Sequence, residues 1–396
     1  MSLTVSEKLT PITVHDPRTM NMPRIYPVLK GGSDVLYKKF TTTSISNSSI
    51  NFSCPPTSQN VWVDRRVHVQ MPVRITVQAT GIAAGVLLFN PNQVCIRSYP
   101  VMKSLDTIQC TLNNQSVSCN VSDYISATEH FNIDRKLKSS DYSKCATYSC
   151  SQSQQFSDLF GATRSPMSLY GDGLDDLAPA AFPFTIVSQT NNGAGLATSV
   201  LDFISTEPIF LSPLFWGSFS HDDSGFYGLR TFDMTLNFLN TANRMIAIDN
   251  TSIGVPWTPT TITSTMSFSN FSPAFSYTEN QPYLLFQYIT PQLSDKGANL
   301  SRVFNYDYWN IDRFPTDFPQ ISAGAQTIVS SNNIQLNSIP SRIYIYCRNT
   351  NASLYATPFL TDTFLSIENI SIQFGNRSGC LASASKRQSN RLIKTY

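Results

Sequence analysis

The residues best suited to chemistry in this chain are its histidines, and none of them lies at metal-ligand spacing from another. The strongest candidate site is the triplet His221-Asp222-Asp223, where the imidazole could act as a base or the carboxylates could bind a cation. Serine and glycine surround the triplet, and a solvated turn explains it more simply. The histidines are His15, His68, His130 and His221.

A second acidic segment, GDGLDD at residues 171–176, has the composition of a calcium-binding loop. It lacks the closing glutamate at the spacing that such a loop requires, which favours an ordinary surface loop. The sequence also contains no phosphate-binding lysine loop, no GxSxG motif and no HExxH motif. We therefore predict no catalytic, cofactor-binding or metal-binding residue and no cofactor, and we expect a protein that is not an enzyme.

The cysteines are too sparse for a disulfide scaffold and have no paired CxxC spacing. We expect reduced and mostly buried thiols. Cys145 and Cys150 lie in a loop rich in serine and tyrosine, and their redox state stays open. The eight cysteines are at positions 54, 95, 110, 119, 145, 150, 347 and 380.

The composition favours β structure and surfaces that contact other copies of the chain. Only 14% of the 396 residues are charged, while 41% are hydrophobic, and Asn, Ser, Thr, Tyr and Phe replace the usual Lys and Glu. A net charge of +2 is too small to wrap nucleic acid. The sequence has neither a signal peptide nor an apolar run of about 18 residues, so we expect a soluble intracellular product without a transmembrane segment.

The stretch at residues 207–238 organises the predicted fold. Its first half, Ile209 to Trp216, is apolar but is interrupted by Pro213, which favours a bent or edge strand. Its second half alternates from Tyr227 to Phe238 with the two-residue period of a half-buried strand. We predict that the two halves form an antiparallel pair.

Two further blocks also predict strands. Residues 61–80 form a long β-branched run that we expect to bend at Pro72. In the block at 96–132, a strand from Leu105 to Leu112 precedes an Asn113-Asn114 turn and a second strand from Ser116 to Cys119. Asn120 or Ser122 would then cap a helix over about 123–130.

The C-terminal third predicts three strands and a hairpin break. Apolar residues alternate around Ile334, around Ile343 to Tyr346, and from Phe364 to Phe374, and Gly375-Asn376 interrupts the pattern. Residues 181–190 and 199–208 are two more strand runs, on either side of the Asn-Asn-Gly turn at 191–193.

The block at 96–132, the block at 207–238 and the C-terminal strings IPSRIYIY (339–346) and NISIQFGNRSG (369–379) follow one another along the chain. In this order they resemble the major capsid proteins of Polinton-like and adintovirus-type eukaryotic DNA viruses. The FTTTS and VDRRV segments, at 40–44 and 63–67, extend the resemblance over nearly the whole chain. The family fold implies an all-β protein of two tandem jelly-roll sandwiches. The chain leaves the family pattern after Ser385, and we therefore expect the second sandwich to be incomplete.

The resemblance divides the chain into an N-terminal arm at 1–31, a first jelly roll at 32–248, a linker at 249–262 and a partial second jelly roll at 263–396. A basic tail, KRQSNRLIKTY, begins at residue 386. The resemblance to the capsid family also implies a structural role in the virion, in which homotrimeric capsomers of pseudo-hexagonal outline tile an icosahedral shell. We expect the arm to contact penton, minor capsid or neighbouring capsomer proteins. The alternative that we leave open is a secreted β-sandwich that binds carbohydrate.

Overall fold

In the part of the chain that the computed structural model describes, almost all regular secondary structure is β-strand, which confirms the predicted all-β class. No helix in the part that it describes is long and apolar enough to cross a membrane. The described residues are 9–14, 24–29, 34–57, 61–81, 94–97, 99–125, 185–191, 196–211, 214, 226–248, 261–268, 281–290, 324–331, 333–335, 343–347, 367–374 and 377–385.

Most of the strands precede residue 291. They are β1 Leu9–Val14, β2 Arg24–Leu29, β3 Asp34–Thr41, β4 Ser44–Ile45, β5 Ser49–Cys54, β6 Trp62–Val63, β7 His68–Thr80, β8 Val94–Ile96, β9 Leu105–Leu112, β10 Gln115–Cys119, β11 Thr185–Asn191, β12 Leu196–Pro208, β13 Phe226–Tyr227, β14 Phe232–Phe238, β15 Ile246–Ile248, β16 Thr261–Ser267, β17 Tyr283–Thr290, β18 Asn369–Phe374 and β19 Arg377–Ser385. The short helix α1 spans Pro100–Ser104.

The larger of the two main sheets has eight strands and is centred on β7. It runs in the order β11-β12-β7-β17-β6-β13, with β16 also paired to β7 and β3 paired to β17. All of these pairings are antiparallel, and β12 follows β7 over its whole length. The predicted apolar face of β7 is confirmed, because Val69, Met71, Val73, Ile75 and Val77 are all fully buried.

Pro72 lies inside this central strand at the position where a missing N–H group costs least. Ile209 donates its N–H to the Val67 carbonyl, and in that register the odd-numbered residues of β7 form the hydrogen-bonded pairs with β12. The nitrogen of Pro72 therefore faces the opposite edge. On that edge β17 pairs with residues 68–70 and β16 with residues 74–80, so the proline falls between the two strands.

The smaller sheet has five strands in the order β10-β9-β14-β5-β4. Its central strand β14 alternates buried and more exposed residues, as the sequence predicts for a sheet with one face in a core. The predicted Asn113-Asn114 turn joins β9 to β10, and both asparagines have positive φ, at 46° and 69°. Asparagine tolerates this left-handed conformation, which a two-residue hairpin turn needs.

The two sheets pack face to face as a sandwich, and the hydrophobic core lies between them. Phe232 of the smaller sheet packs edge-to-face on Phe286 of the larger, with ring centroids 4.9 Å apart. Phe40 of β3 contacts the same ring at 5.3 Å. Aromatic pairs of this geometry contribute about 0.5–1.5 kcal/mol each beyond the area they bury.

The predicted pairing within 207–238 is wrong. Strand β14 pairs with β5 and β9 in the smaller sheet, whereas β12, which ends at Pro208, lies in the larger sheet. Ile209, Phe210 and Leu211 are buried but form no strand. These described residues of the apolar run therefore contribute to the core, and Ile209 extends the pairing of β12 with β7 by one hydrogen bond, to the Val67 carbonyl.

The larger sheet does not end at residue 248. Strand β16 pairs with β7, and β17 pairs with β3, β6 and β7. The sequence assigned these two segments to the linker and the second unit, but their hydrogen bonds hold them in the first sandwich. A boundary after Thr290 fits the sheet better than one at 248.

The described part of the C-terminal third contains one antiparallel hairpin, β18-β19, at the break predicted for Gly375-Asn376. Strands were also predicted around Ile334 and Ile343; the described residues there, 333–335 and 343–347, carry no strand hydrogen bonding, and Leu336 lies outside the described residues. The predicted N-terminal arm contains a hairpin of its own, β1-β2, in which Pro11 lies opposite Pro27.

Candidate functional site

The candidate catalytic residues are not brought together by the described structure. His68 begins β7, opposite Pro208 and Leu285. The other histidines, the triplet at 221–223 and the acidic segment at 171–176 lie outside the described residues, as do Cys145 and Cys150. Within the described ranges, no group of three His, Cys, Asp or Glu side chains has the geometry of a metal site.

The thiols that the structure describes are held in their unreactive protonated form. Cys54, Cys110, Cys119 and Cys347 are free cysteines. Burial, reinforced by the charge of nearby Asp233, raises the pKa of Cys54 to about 12. Burial is also the main reason that the pKa of Cys110 rises to about 12. Because the thiolate is the nucleophile, these two residues act as core side chains.

A buried charged cluster lies at α1, and Glu207 near the end of β12 is its centre. The Glu207 carboxylate is fully buried and accepts the backbone N–H groups of Val101 at 2.9 Å and Met102 at 2.8 Å. The Ser205 hydroxyl donates to it as well. These are the first N–H groups of α1, which have no partner within the helix. The carboxylate therefore connects α1 to β12 through hydrogen bonds.

Burial of Glu207 disfavours its ionised form. Burial raises the pKa of this carboxyl to about 7, although the three hydrogen bonds and the charge of buried Lys103 act to lower it. A carboxylate with no solvent contact depends on such donors to stay ionised. The cluster has the chemistry of a proton-binding group near neutral pH, and it is shielded from any substrate.

Other buried polar side chains connect loops to strands around the same end of the sandwich. Arg97 donates from Nε to the Ile246 carbonyl at 2.8 Å. Arg244 donates to the Ser122 carbonyl at 3.4 Å, and the Tyr124 hydroxyl donates to the Phe210 carbonyl. The partners lie 86 to 149 residues apart in sequence. These hydrogen bonds therefore connect segments of the sandwich that are far apart in sequence.

The exposed apolar surface points to contacts with another protein. Val35, Leu36 and Tyr37 are consecutive in β3 and are 47%, 55% and 63% exposed. Among the described residues, β3 pairs with β17 alone, so no described strand covers its other edge. Exposed apolar residues on an open strand edge are a template for pairing with another chain.

A second apolar surface lies in the C-terminal third. Ile328 is 98% exposed, and Ile343 and Ile345 are 51% and 45% exposed. The extended segment 343–347 contacts the first sandwich through the Tyr346 hydroxyl, which donates to the Asp123 carbonyl at 2.6 Å. The tyrosine face therefore contacts the sandwich, while the isoleucine face is exposed.

The sequence did not identify the Glu207 cluster or helix α1. The available signal was a glutamate directly before the apolar stretch Pro208 to Leu211, where a solvated side chain is not expected. Its donors come from a segment about 105 residues earlier in the chain. Sequence spacing does not reveal a contact of this kind.

Comparison with known protein families identifies relatives of this chain. The family described as Sputnik virophage major capsid protein 1st domain matches residues 9–288. The family described as major capsid protein V20 C-terminal domain matches residues 312–393, which includes most of the segment expected to be an unrelated tail. The putative capsid protein V20 of Sputnik virophage is 27% identical over 392 residues. The match covers 96% of this chain but 62% of that relative, so the chain spans less than two thirds of its length.

Two solved structures also resemble the chain. A cryo-EM structure of the Sputnik virophage matches with a TM-score of 0.49 and 23% identity, covering 71% of this chain and 53% of that one. The crystal structure of the mavirus major capsid protein matches with a TM-score of 0.43 and 16% identity, covering 66% and 48%.

Proposed function

The chain belongs to the Sputnik virophage major capsid protein family, and from this premise we propose that it is a structural subunit of an icosahedral virion shell. Three copies would form a capsomer of pseudo-hexagonal outline, and the capsomers would tile the shell. The observation that carries this proposal is the family match over 9–288, which coincides with the two-sheet sandwich that ends at β17.

The physical reason is the arrangement of two lobes in one chain. The first lobe is the sandwich from β3 to β17, and the segment matching the V20 C-terminal domain would supply the second. Three chains with two similar lobes present six lobes, and hexagonal outlines pack closely. Such a shell is stabilised by many modest interfaces between identical subunits.

The role is mechanical. The buried charges around Glu207 hold loops and strands together, and the buried thiols are protonated. A subunit that bears load in a shell needs such internal connections. The matched family also favours this role over a secreted carbohydrate-binding module.

We place the chain in the virion, after synthesis as a soluble protein in the host cell. Its relation to the Polinton-like and adintovirus-type capsid proteins would be that of a virophage-type member of the same double jelly-roll group. The hairpin β1-β2 lies in the N-terminal arm, which would lie on the inner side of the shell and contact minor proteins or adjacent capsomers.

Size measurement and imaging test the capsomer. The purified protein should elute in light-scattering chromatography at about three times the 44.1 kDa of one chain, and negative-stain images should show particles with six lobes. Deleting residues 1–31 should leave the trimer and impair shell assembly. A monomer with no larger assembly at any concentration would contradict the capsid role, and normal shells from the deletion would contradict the role of the arm alone.

A further inference from the structure

The edge of β3 that faces away from β17, the open edge, has no partner strand among the described residues. Its apolar residues Val35, Leu36 and Tyr37 lie on both faces of the strand, because neighbouring residues in a strand alternate sides. Leu36 lies opposite Tyr288 of β17 and continues the core face of the sheet outward. A partner at this edge would extend both the backbone ladder and the core.

The hydrogen bonds of β3 determine which backbone groups point outward. Thr42 donates its N–H to the Pro282 carbonyl at 3.2 Å, and the same register pairs Phe40 with Leu284 and Leu36 with Tyr288. Since hydrogen-bonded pairs recur at every second residue, the even-numbered residues of β3 bond to β17. The odd-numbered residues direct their N–H and carbonyl groups toward the open edge.

We propose that this edge pairs with the same edge of a second copy of the chain, antiparallel and about a two-fold axis at Leu36. This inference rests on the proposed capsid function, in which the neighbours of each copy are other copies. Val35 would lie opposite Tyr37 of the partner subunit and exchange two hydrogen bonds with it. Because the axis repeats the pair, the ladder gains about four hydrogen bonds.

The charged side chains favour this register over others. The register centred on Leu36 places residue 34, an aspartate, opposite Lys38 of the partner subunit. Both positions are non-hydrogen-bonded, where opposed Cα atoms approach to about 4.5 Å and opposite charges stabilise the pair. Leu36 meets Leu36 of the partner subunit at the centre. The five residues Asp-Val-Leu-Tyr-Lys are therefore complementary to themselves.

Other registers are worse. A shift of one residue pairs outward-pointing groups with inward-pointing groups and loses the hydrogen bonds. A shift of two residues places Leu36 opposite either Lys38 or residue 34 and leaves each charge without an opposite one. A parallel pairing in register sets Lys38 and Lys39 against the same lysines of the second copy, and like charges in that position destabilise.

A two-fold contact of this kind cannot close a trimer by itself, because the trimer has three-fold symmetry. It would join one capsomer to the next, so that the larger sheets of two capsomers become one continuous sheet. The edge that would otherwise promote unspecific pairing is then covered in the shell.

A single cysteine tests the geometry. Leu36→Cys places two thiols at the proposed axis, at a Cα separation within the range of a disulfide. Mild oxidation of the assembled protein should produce a covalent dimer on a non-reducing gel. The matched control is Val187→Cys, which is also an exposed apolar residue, on strand β11 at one end of the sheet order and three strands away from β17. The control should give no dimer above wild type.

A charge swap tests the register. Lys38→Asp sets two acidic residues opposite each other, and Asp34→Lys sets two basic residues opposite each other, so either change should suppress the Leu36→Cys dimer severalfold. The double variant exchanges the two charges and should restore it. Circular dichroism of each variant confirms that the fold is retained.

The outcomes separate this pairing from the capsid function. Trimers and shells that form without a Leu36→Cys dimer above the control would overturn the β3 pairing and leave the capsid role standing. A dimer that forms but is insensitive to the charge changes would overturn the register. A wild-type chain that never assembles would overturn both proposals.

Discussion

Strand β12 carries two fully buried carboxylates that are stabilised in opposite ways. Asp202 is paired with Arg74, its register neighbour on β7, through Nε and Nη2 contacts of 2.7 Å each. Glu207, five residues later, receives backbone N–H groups from α1 and the hydroxyl of Ser205. One carboxylate strengthens the pairing of two neighbouring strands, whereas the other connects the sheet to a separate segment.

The difference lies in access to solvent. The Arg74 side chain is 25% exposed, so the charge of the first pair reaches water. Glu207 and Lys103 are both fully buried. Losing a partner should therefore cost more at Glu207, because water cannot replace what is removed.

The largest effect is expected for Glu207→Ala. This change leaves two buried N–H groups without an acceptor and buried Lys103 without the opposing charge, and we expect the free energy of unfolding to fall by about 3–5 kcal/mol. Urea titration followed by tryptophan fluorescence measures it. Ser205→Ala is the control, since it removes one donor and leaves the carboxylate, and should cost about 1 kcal/mol. Equal losses for the two variants would contradict the role of the carboxylate as the main connection.

The pH dependence of stability should sharpen the contrast. The pKa of Glu207 is raised to about 7 from 4.5, mainly by burial. Between these values the folded protein holds a proton that the unfolded chain has released, so this stabilising contribution is complete at low pH and is lost as the pH rises through about 7.

Glu207→Gln, which has no titrating proton, should flatten the change of unfolding free energy with pH in that interval. Chemical denaturation of both proteins at several pH values from about 4.5 to 7.5 measures the two slopes. An unchanged slope in the variant would assign the pH dependence to other groups.

Asp202→Ala should have a smaller effect than Glu207→Ala. It removes a bidentate, charge-assisted pair, but Arg74 can turn its guanidinium toward water, and we expect a loss of about 1.5–3 kcal/mol. Thermal unfolding by calorimetry measures the difference between the two variants. A greater loss for Asp202 would reverse the comparison.

The smallest effect is expected at the surface. Arg66 forms an ion pair with Asp64 at 2.6 Å, but its side chain is 52% exposed. Arg66→Ala should change stability by less than about 0.5 kcal/mol, because exposed ion pairs are screened by solvent. The same urea titration checks this, and a loss comparable to that of Asp202→Ala would show that exposure is not the deciding variable.

Local pattern predicted the strands well. The alternation of β14, the Asn113-Asn114 hairpin and the buried face of β7 were all readable, because each depends on residues close in sequence. The all-β class and a role as a major capsid protein followed from the order of such segments, whereas the family that the comparison shows is the virophage one and not the Polinton-like and adintovirus-type one named from the sequence.

The sequence did not predict which strands pair when they are far apart in the chain. Ile209 to Leu211 has the composition of a strand, yet it packs as an irregular buried segment, because β14 already pairs on both sides with β5 and β9. The pairing of β16 and β17 with β7 was not predicted either, since a Thr/Pro-rich segment looks like a linker whether or not the next strand returns to the same sheet. Glu207 was missed for the same reason.

The pairing of β3 with β17 has a consequence for how the protein is made. The two strands are separated by about 250 residues, so β3 leaves the ribosome long before its described neighbour exists. At roughly 5–20 residues per second, the delay is on the order of tens of seconds. During that time Val35, Leu36 and Tyr37 belong to a nascent chain without a sheet, and Lys38 and Lys39 beside them would help to keep it from aggregating.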